Sequence, residues 1–227
     1  MKAPLSQRVA AEFLGSLVLA SAVVGSGVQA AQLADGNDAI ALIANAGATA
    51  AILFVLVTAL APTSGAHFNP AVTLVMTLRR ELGGADALVY VLAQIAGCVA
   101  GALLAHAMFG LTLVQISTHA RAGWGQVLSE GAATFVLVFA ILLVSRSRPQ
   151  SLAAAVSLTI AAGYWWTAST SFANPAITLA RTLSDTFAGI RPQDAPAFAA
   201  GQILGALAAL LADWILALRP HGVATPR

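Results

Sequence analysis

Six stretches of this sequence, about 9–31, 39–60, 85–109, 124–144, 152–167 and 195–218, are apolar over or near the length of a membrane span. A helix needs about 20 mostly apolar residues to cross the ~30 Å hydrocarbon core. The rest of the chain cannot compensate with a polar surface: 59% of it is hydrophobic and only 9% charged, where a soluble domain carries roughly 25% charged residues. A soluble enzyme, a nucleic-acid binder and a disordered chain are excluded on that count. The fold class expected is an all-α membrane protein. The fifth stretch is the shortest. Two further apolar pieces, 71–78 and 176–183, are too short to cross, and each follows a polar, Pro-containing turn. They read as re-entrant half-helices, whose irregular backbone must line a cavity or be buried in protein.

Charge sets the expected orientation, because Lys and Arg favour the cytoplasmic side. With both termini cytoplasmic, Lys2, Arg8, Arg79, Arg80, Arg146, Arg148, Arg219 and Arg227 lie on that side, against Arg121, Arg191 and Arg181. The expected location is the inner (plasma) membrane, crossed several times. Lys2 and Arg8 precede an apolar run as in a signal peptide, but Glu12 interrupts it and no small-residue cleavage site leads into a soluble domain. The run is read as a retained first span, and the short tails leave no room for an extramembrane domain. The single cysteine, Cys98, excludes an internal disulfide and a Cys-based metal site, and reads as a packing residue.

The chain is duplicated. Phe68-Asn69-Pro70-Ala71-Val72-Thr73-Leu74 returns as Ala173-Asn174-Pro175-Ala176-Ile177-Thr178-Leu179. Gln94-Ile95-Ala96-Gly97 is matched by Gln202-Ile203-Leu204-Gly205, and Glu12 by Glu130. The pairs keep their order, which predicts one domain over 1–227 built from two halves, about 1–115 and 116–227. Each half holds three spans, an odd number, so the second enters the membrane inverted. The site of such a fold lies near the midplane, where the halves meet.

Asn is a strong N-cap, and Pro suits the first helical position because its missing N–H needs no partner. One Asn-Pro-Ala therefore marks a helix start and little more. Two copies, each opening a half-helix from an opposite face, imply that two helix N-termini meet. Each carries the equivalent of roughly +0.5 charge, so the pair repels cations. Asn69 and Asn174 add amide donors. A water held between them turns its oxygen to both and cannot pass a proton along the file. Pro70, Pro175, Ala71 and Ala176 complete this expected central constriction.

With these residues the chain resembles the aquaporins, the major intrinsic protein family, over all six spans and both half-helices. Ser64-Gly65-Ala66-His67-Phe68-Asn69-Pro70-Ala71-Val72-Thr73 is similar to that family's first re-entrant loop. The resemblance implies a homotetramer with one pore per subunit. It implies that Glu12 and Glu130 are structural buried acids accepting hydrogen bonds from the half-helix loops. His67 and its neighbours' carbonyls are assigned to the inner vestibule. No cofactor is implied, and no His or Cys lies at metal-ligand spacing.

The sequence departs from the family at the outer filter. Ile177 stands where most members have Arg directly after the second Asn-Pro-Ala. Arg181, one helical turn further on, is expected to cap or pair near the helix end rather than to substitute. Spacing from the two asparagines puts Thr49, Ala162 and Ser171 beside Ile177, with Gly163 and Phe172 as one-residue alternates. That set predicts a wide, uncharged filter suited to small neutral solutes. The stretch from Ala162 to Ala176 is similar to bacterial aquaglyceroporins associated with arsenic resistance. That likeness implies arsenite, antimonite and methylarsenicals, or glycerol, along with water. The competing readings are a water-selective pore, an alternating-access transporter and a structural membrane protein. Tyr164, Trp165, Trp166, Trp124 and Trp214 read as interface anchors, His106 and His119 as helix-end and loop residues, and Gly97, Gly101 and Gly205 as close-packing positions.

Overall fold

A computed structural model describes residues 3–217. Lys2, Arg219 and Arg227, on which part of the expected orientation rests, and Leu218 at the end of the last expected span lie outside the described residues. Among the described residues the regular structure is helical: α1 (Leu5–Leu33), α2 (Asp38–Ser64), α3 (Pro70–Leu78), α4 (Gly84–Met108), α5 (Trp124–Ser147), α6 (Leu152–Trp166), α7 (Pro175–Arg181) and α8 (Ala195–Ala217). A 3₁₀ turn, Pro149–Ser151, leads into α6. The order long, long, half, long thus occurs twice.

Five of these helices, α1, α2, α4, α5 and α8, are long and apolar enough to cross a membrane. α3 and α7 are the half-helices, and of the six expected spans the exception is α6. Its 15 residues rise roughly 22 Å, less than the hydrocarbon core. It stops at Thr167 because the following residues must turn inward to reach Asn174. The second half-helix is also shorter than expected, ending at Arg181 rather than at Leu183. There the amides of Thr182 and Leu183 bond carbonyls three residues back, Leu179 at 3.1 Å and Ala180 at 3.1 Å. Those tighter bonds close the helix.

Packing follows the duplication. α1 lies against α4 and α2, α5 lies against α8 and α6, and α2 meets α6. Both half-helices pack between α4 and α8 and touch each other. In a bilayer no hydrophobic force draws helices together, so close backbone approach carries the association. A Cβ on Gly97 would sit 2.4 Å from the Phe13 carbonyl oxygen, and one on Gly101 2.2 Å from that of Leu17. The equivalent contact in the second half puts a Cβ on Gly205 2.1 Å from the Gly131 oxygen. These glycines are where α1 meets α4 and α5 meets α8.

Charged pairs fix the helix ends. Asp213 on α8, whose side chain is 4% exposed, accepts from Arg79 Nη1 at 2.7 Å and from Arg146. One carboxylate thereby ties the end of α3 to α5 and α8. Arg8 bonds Asp86 at 2.8 Å, joining α1 to the start of α4. Cys98 is fully buried among apolar neighbours, as its surroundings in the sequence predict.

Gly205→Ala is expected to destabilise the protein by about 1–3 kcal/mol, the usual cost of overpacking. Thermal unfolding in detergent measures it, and a substitution at Gly83, whose Cβ would meet nothing within 4 Å, is the matched control.

Candidate functional site: a cavity between two half-helices

Each half-helix begins at its asparagine. Asn69 Oδ1 accepts from the Ala71 amide at 2.9 Å, and Asn174 Oδ1 from the amides of Ala176 at 3.0 Å and Ile177 at 3.3 Å. Pro70 and Pro175 occupy the first helical positions. The amide nitrogens cross over: Asn69 Nδ2 donates to the Ala173 carbonyl at 2.7 Å, and Asn174 Nδ2 to the Phe68 carbonyl at 2.8 Å. Each asparagine thus caps its own helix and braces the other loop. An amide has two N–H donors, so each keeps one, and both residues line the same cavity.

The loops feeding these caps hold an unfavourable backbone. Ala66 and Phe68 have φ of 52° and 48°, and Thr170, Ser171 and Ala173 have 62°, 52° and 48°. Left-handed conformations are costly for residues with a Cβ. Two fully buried glutamates hold them. Glu12 accepts from the amides of His67 at 3.0 Å and Phe68 at 2.7 Å, from Ser64 Oγ at 2.6 Å and from Gln94 Nε2 at 2.8 Å. Glu130 accepts from the amides of Phe172 at 2.9 Å and Ala173 at 2.8 Å and from Gln202 Nε2 at 2.6 Å. Gln94 also donates to Thr73 at 2.9 Å and Gln202 to Thr178 at 2.8 Å, one residue pair for each half-helix. The two networks correspond in their paired amides, glutamine and threonine, and the Ser64 hydroxyl is an addition in the first.

The cavity has a volume of about 230 Å³ and runs from Glu81 and Met76 at the α3 end, past His67 and the two asparagines, to Ile177 and Arg181 at the α7 end. Its wall is mostly apolar, with Leu19, Val23, Leu53, Leu137 and Ile160 among the lining residues. His67 stands at the α3 end, its Nδ1 3.1 Å from Thr73 Oγ1 and its ring edge-on to Tyr90. A solute would meet apolar side chains on most sides, with the polar side chains of Thr49, His67, Ser171 and the two asparagines among the rest.

Of the residues expected at the outer filter, Thr49, Ser171, Ile177 and the alternate Phe172 line the cavity. Ala162 does not: it is exposed on the far face of α6. Gly163 is buried behind Ser171, where a Cβ would fall 2.4 Å from the hydroxyl oxygen. From α6 the cavity is lined by Leu152, Val156, Ile160 and Tyr164, and Tyr164 is 3% exposed with its hydroxyl 3.3 Å from Thr49 Oγ1. It is therefore a lining residue and no interface anchor, whereas Trp165, Trp166, Trp124 and Trp214 are exposed. The buried stripe of α6, Val156, Ser157, Ile160, Gly163 and Tyr164, has the spacing of a helix face, so periodicity could have found Tyr164 where a fixed offset did not.

Arg181 also departs from expectation. It lines the cavity, so the filter region is not uncharged. Its Nε donates to the Ala188 carbonyl in the loop that follows α7, and its guanidinium lies 3.3 Å from the centroid of the Phe172 ring. Around this end the loops are clasped. Arg121 bonds the Gly189 carbonyl at 2.8 Å, His106 bonds Leu113 and Ser184, and Asp185 accepts twice from Thr118. Those two bonds hold the Asp185 carboxyl below its ordinary range.

Residues 1–148 match the family described as major intrinsic protein. The chain is 52% identical over 213 residues to the aquaglyceroporin AqpS of Rhizobium meliloti (strain 1021), covering 93% of this chain and 91% of that protein. It is 29% identical to the probable aquaporin AqpM of Archaeoglobus fulgidus, over 92% of this chain and 96% of that one. The crystal structure of an aquaglyceroporin from Plasmodium falciparum superposes with a TM-score of 0.71, covering 94% of this chain and 97% of that one; at 18% identity the likeness is one of fold.

Glu130→Gln turns one acceptor of the second loop into a donor facing a backbone N–H. Loss of a hydrogen bond to a charged group predicts about 2–3 kcal/mol lower stability. Unfolding in detergent reads it, and water permeability in vesicles should fall with it.

Proposed function

The chain belongs to the major intrinsic protein family, a family of membrane channels and not of enzymes, and from that premise we propose that it is a passive channel favouring glycerol and metalloid hydroxides along with water. The observation that carries the reading is the meeting of two asparagine-capped helix N-termini in one cavity, cross-braced through Ala173 and Phe68. Converging positive helix ends oppose cations, while the remaining amide hydrogens receive the oxygen of a neutral solute. We read Thr49, Ser171, Phe172, Tyr164 and Ile177 as the filter. Its hydroxyls and aliphatic wall fit arsenite, antimonite and methylarsenicals, which carry hydroxyl oxygens and, in the methylated forms, an apolar side. The 52% identity to a protein named an aquaglyceroporin supports a solute wider than water.

The two halves, about 1–115 and 116–227, are taken as inverted repeats of one domain, and both termini as cytoplasmic on the bias of Lys and Arg. Large apolar side chains exposed along the helices, such as Leu14, Ile43, Leu92 and Leu204, suit lipid and the neighbouring copies of a homotetramer. An alternating-access transporter is disfavoured because Glu12 and Glu130, the intramembrane carboxylates, are occupied by the loops.

Stopped-flow light scattering on proteoliposomes tests the proposal with water, glycerol and arsenite. Wild type should pass all three, and Ile177→Arg should cut glycerol and arsenite flux by at least about tenfold, equivalent to 1.4 kcal/mol of barrier, with water less affected. Wild-type vesicles that pass water alone would sink the solute reading in favour of a water-selective pore. Uphill accumulation driven by an ion gradient would replace the channel with a transporter.

A further inference from the structure

We infer that Arg181 supplies the cationic selectivity group of this pore, one helical turn from the position that Ile177 fills. The inference rests on the reading of the cavity as a pore for neutral solutes. Position 177 and position 181 lie four apart on α7, and residues at that spacing share a helix face. Both line the cavity. With Ile177 at the first position, the cationic side chain stands one turn further along the same wall, at Arg181.

The side chain is held in a way that spends only part of its donor capacity. Its residue is 3% exposed, Nε is committed to the Ala188 carbonyl, and the guanidinium plane is seated on Phe172. Phe172 is in turn fixed edge-on by Phe198, with ring centroids 5.2 Å apart. Among the described residues the two terminal nitrogens have no hydrogen-bond partner, yet neither is among the occluded polar atoms. They open to the cavity. Arg181 also enters none of the ion pairs among the described residues, so no carboxylate is in contact with its charge.

The neighbouring cation makes the contrast. Arg121 lies 5.0 Å from the same ring, but its Nε, Nη1 and Nη2 reach the carbonyls of Gly189 at 2.8 Å, Ser169 at 3.4 Å and Phe187 at 3.5 Å. It clasps loops and does not line the cavity. Arg181 alone of the two presents a fork of N–H donors to what passes. Such a fork is planar and permanently charged. It repels cations at the α7 end and offers paired hydrogen bonds to a neutral solute bearing adjacent oxygens.

The test uses the full chain in proteoliposomes, comparing wild type, Arg181→Gln and Arg181→Met. Water permeability reports assembly, an entrapped pH dye reports proton leak, and tracer sodium reports cation leak. Removing the charge from a low-dielectric wall should raise proton or sodium leak, relative to water permeability, at least about tenfold in both variants. Methionine keeps an apolar stem against Phe172 and is the arm to read if the glutamine variant does not assemble. A water-conducting variant with wild-type leak overturns the inference. So does failure of both variants to assemble, which assigns Arg181 to packing, and so does a wild type that itself leaks cations. A wild type that excludes cations yet passes no glycerol overturns the solute reading and leaves this one standing.

Discussion

Two buried carboxylates make the rest of the structure permissible. The loops before Asn69 and Asn174 carry five non-glycine residues with left-handed backbone, a conformation that would relax without restraint. Glu12 and Glu130 take up consecutive backbone amides of those loops, His67 and Phe68 in the first and Phe172 and Ala173 in the second. Inside a bilayer an amide without a partner is costly, so the glutamates solve two problems with one contact: they pair the amides and fix the turn. The glutamines that share the glutamates, Gln94 and Gln202, extend the restraint to Thr73 and Thr178 on the half-helices themselves.

That local restraint determines what the half-helices can do. A short helix that ends inside a membrane exposes its first N–H groups where no water can pair them. Here the asparagine oxygens take one or two of them, and the partial positive charge that remains is aimed at the cavity by the geometry of the loops. The close approach of α1 to α4 and of α5 to α8, through Gly97, Gly101 and Gly205, sets the frame around them. Loop restraint, helix packing and the chemistry of the cavity are therefore successive consequences of a few small or acidic residues at fixed places.

Much of this was legible in the sequence, and the part that was not has a physical reason. The repeated Asn-Pro-Ala, the paired glutamates and the apolar stretches each express a rule that holds without tertiary detail: capping chemistry, the cost of a buried acid, the thickness of a bilayer. The filter does not obey such a rule. Ala162 was placed by counting from Asn174, but the loop from Thr167 to Ala173 turns back on itself with three left-handed residues, so chain distance there does not measure position. Tyr164 carries an amphipathic ring that suits an interface equally well, and only the buried stripe of α6 assigns it inward. Arg181 was the harder case. Its place depends on the Ala188 carbonyl and the Phe172 ring, partners that no local pattern announces.

The cross-bonds between the asparagines and the opposite loops carry a consequence for the order in which the molecule is made. Asn69 has its acceptor at Ala173, more than a hundred residues later in the chain. Arg79, at the end of the same half-helix, bonds Glu81 close by and also Asp213 in α8. A ribosome that has released only the first half has therefore made a re-entrant segment held by Glu12 at one end and Glu81 at the other, but without its partners in the second half. Glu12 can hold its loop at once, because Ser64, His67, Phe68 and Gln94 all belong to that half. The wall of the cavity is completed only by residues of α5, α6 and the second re-entrant loop, so an incompletely synthesised chain carries no finished cavity.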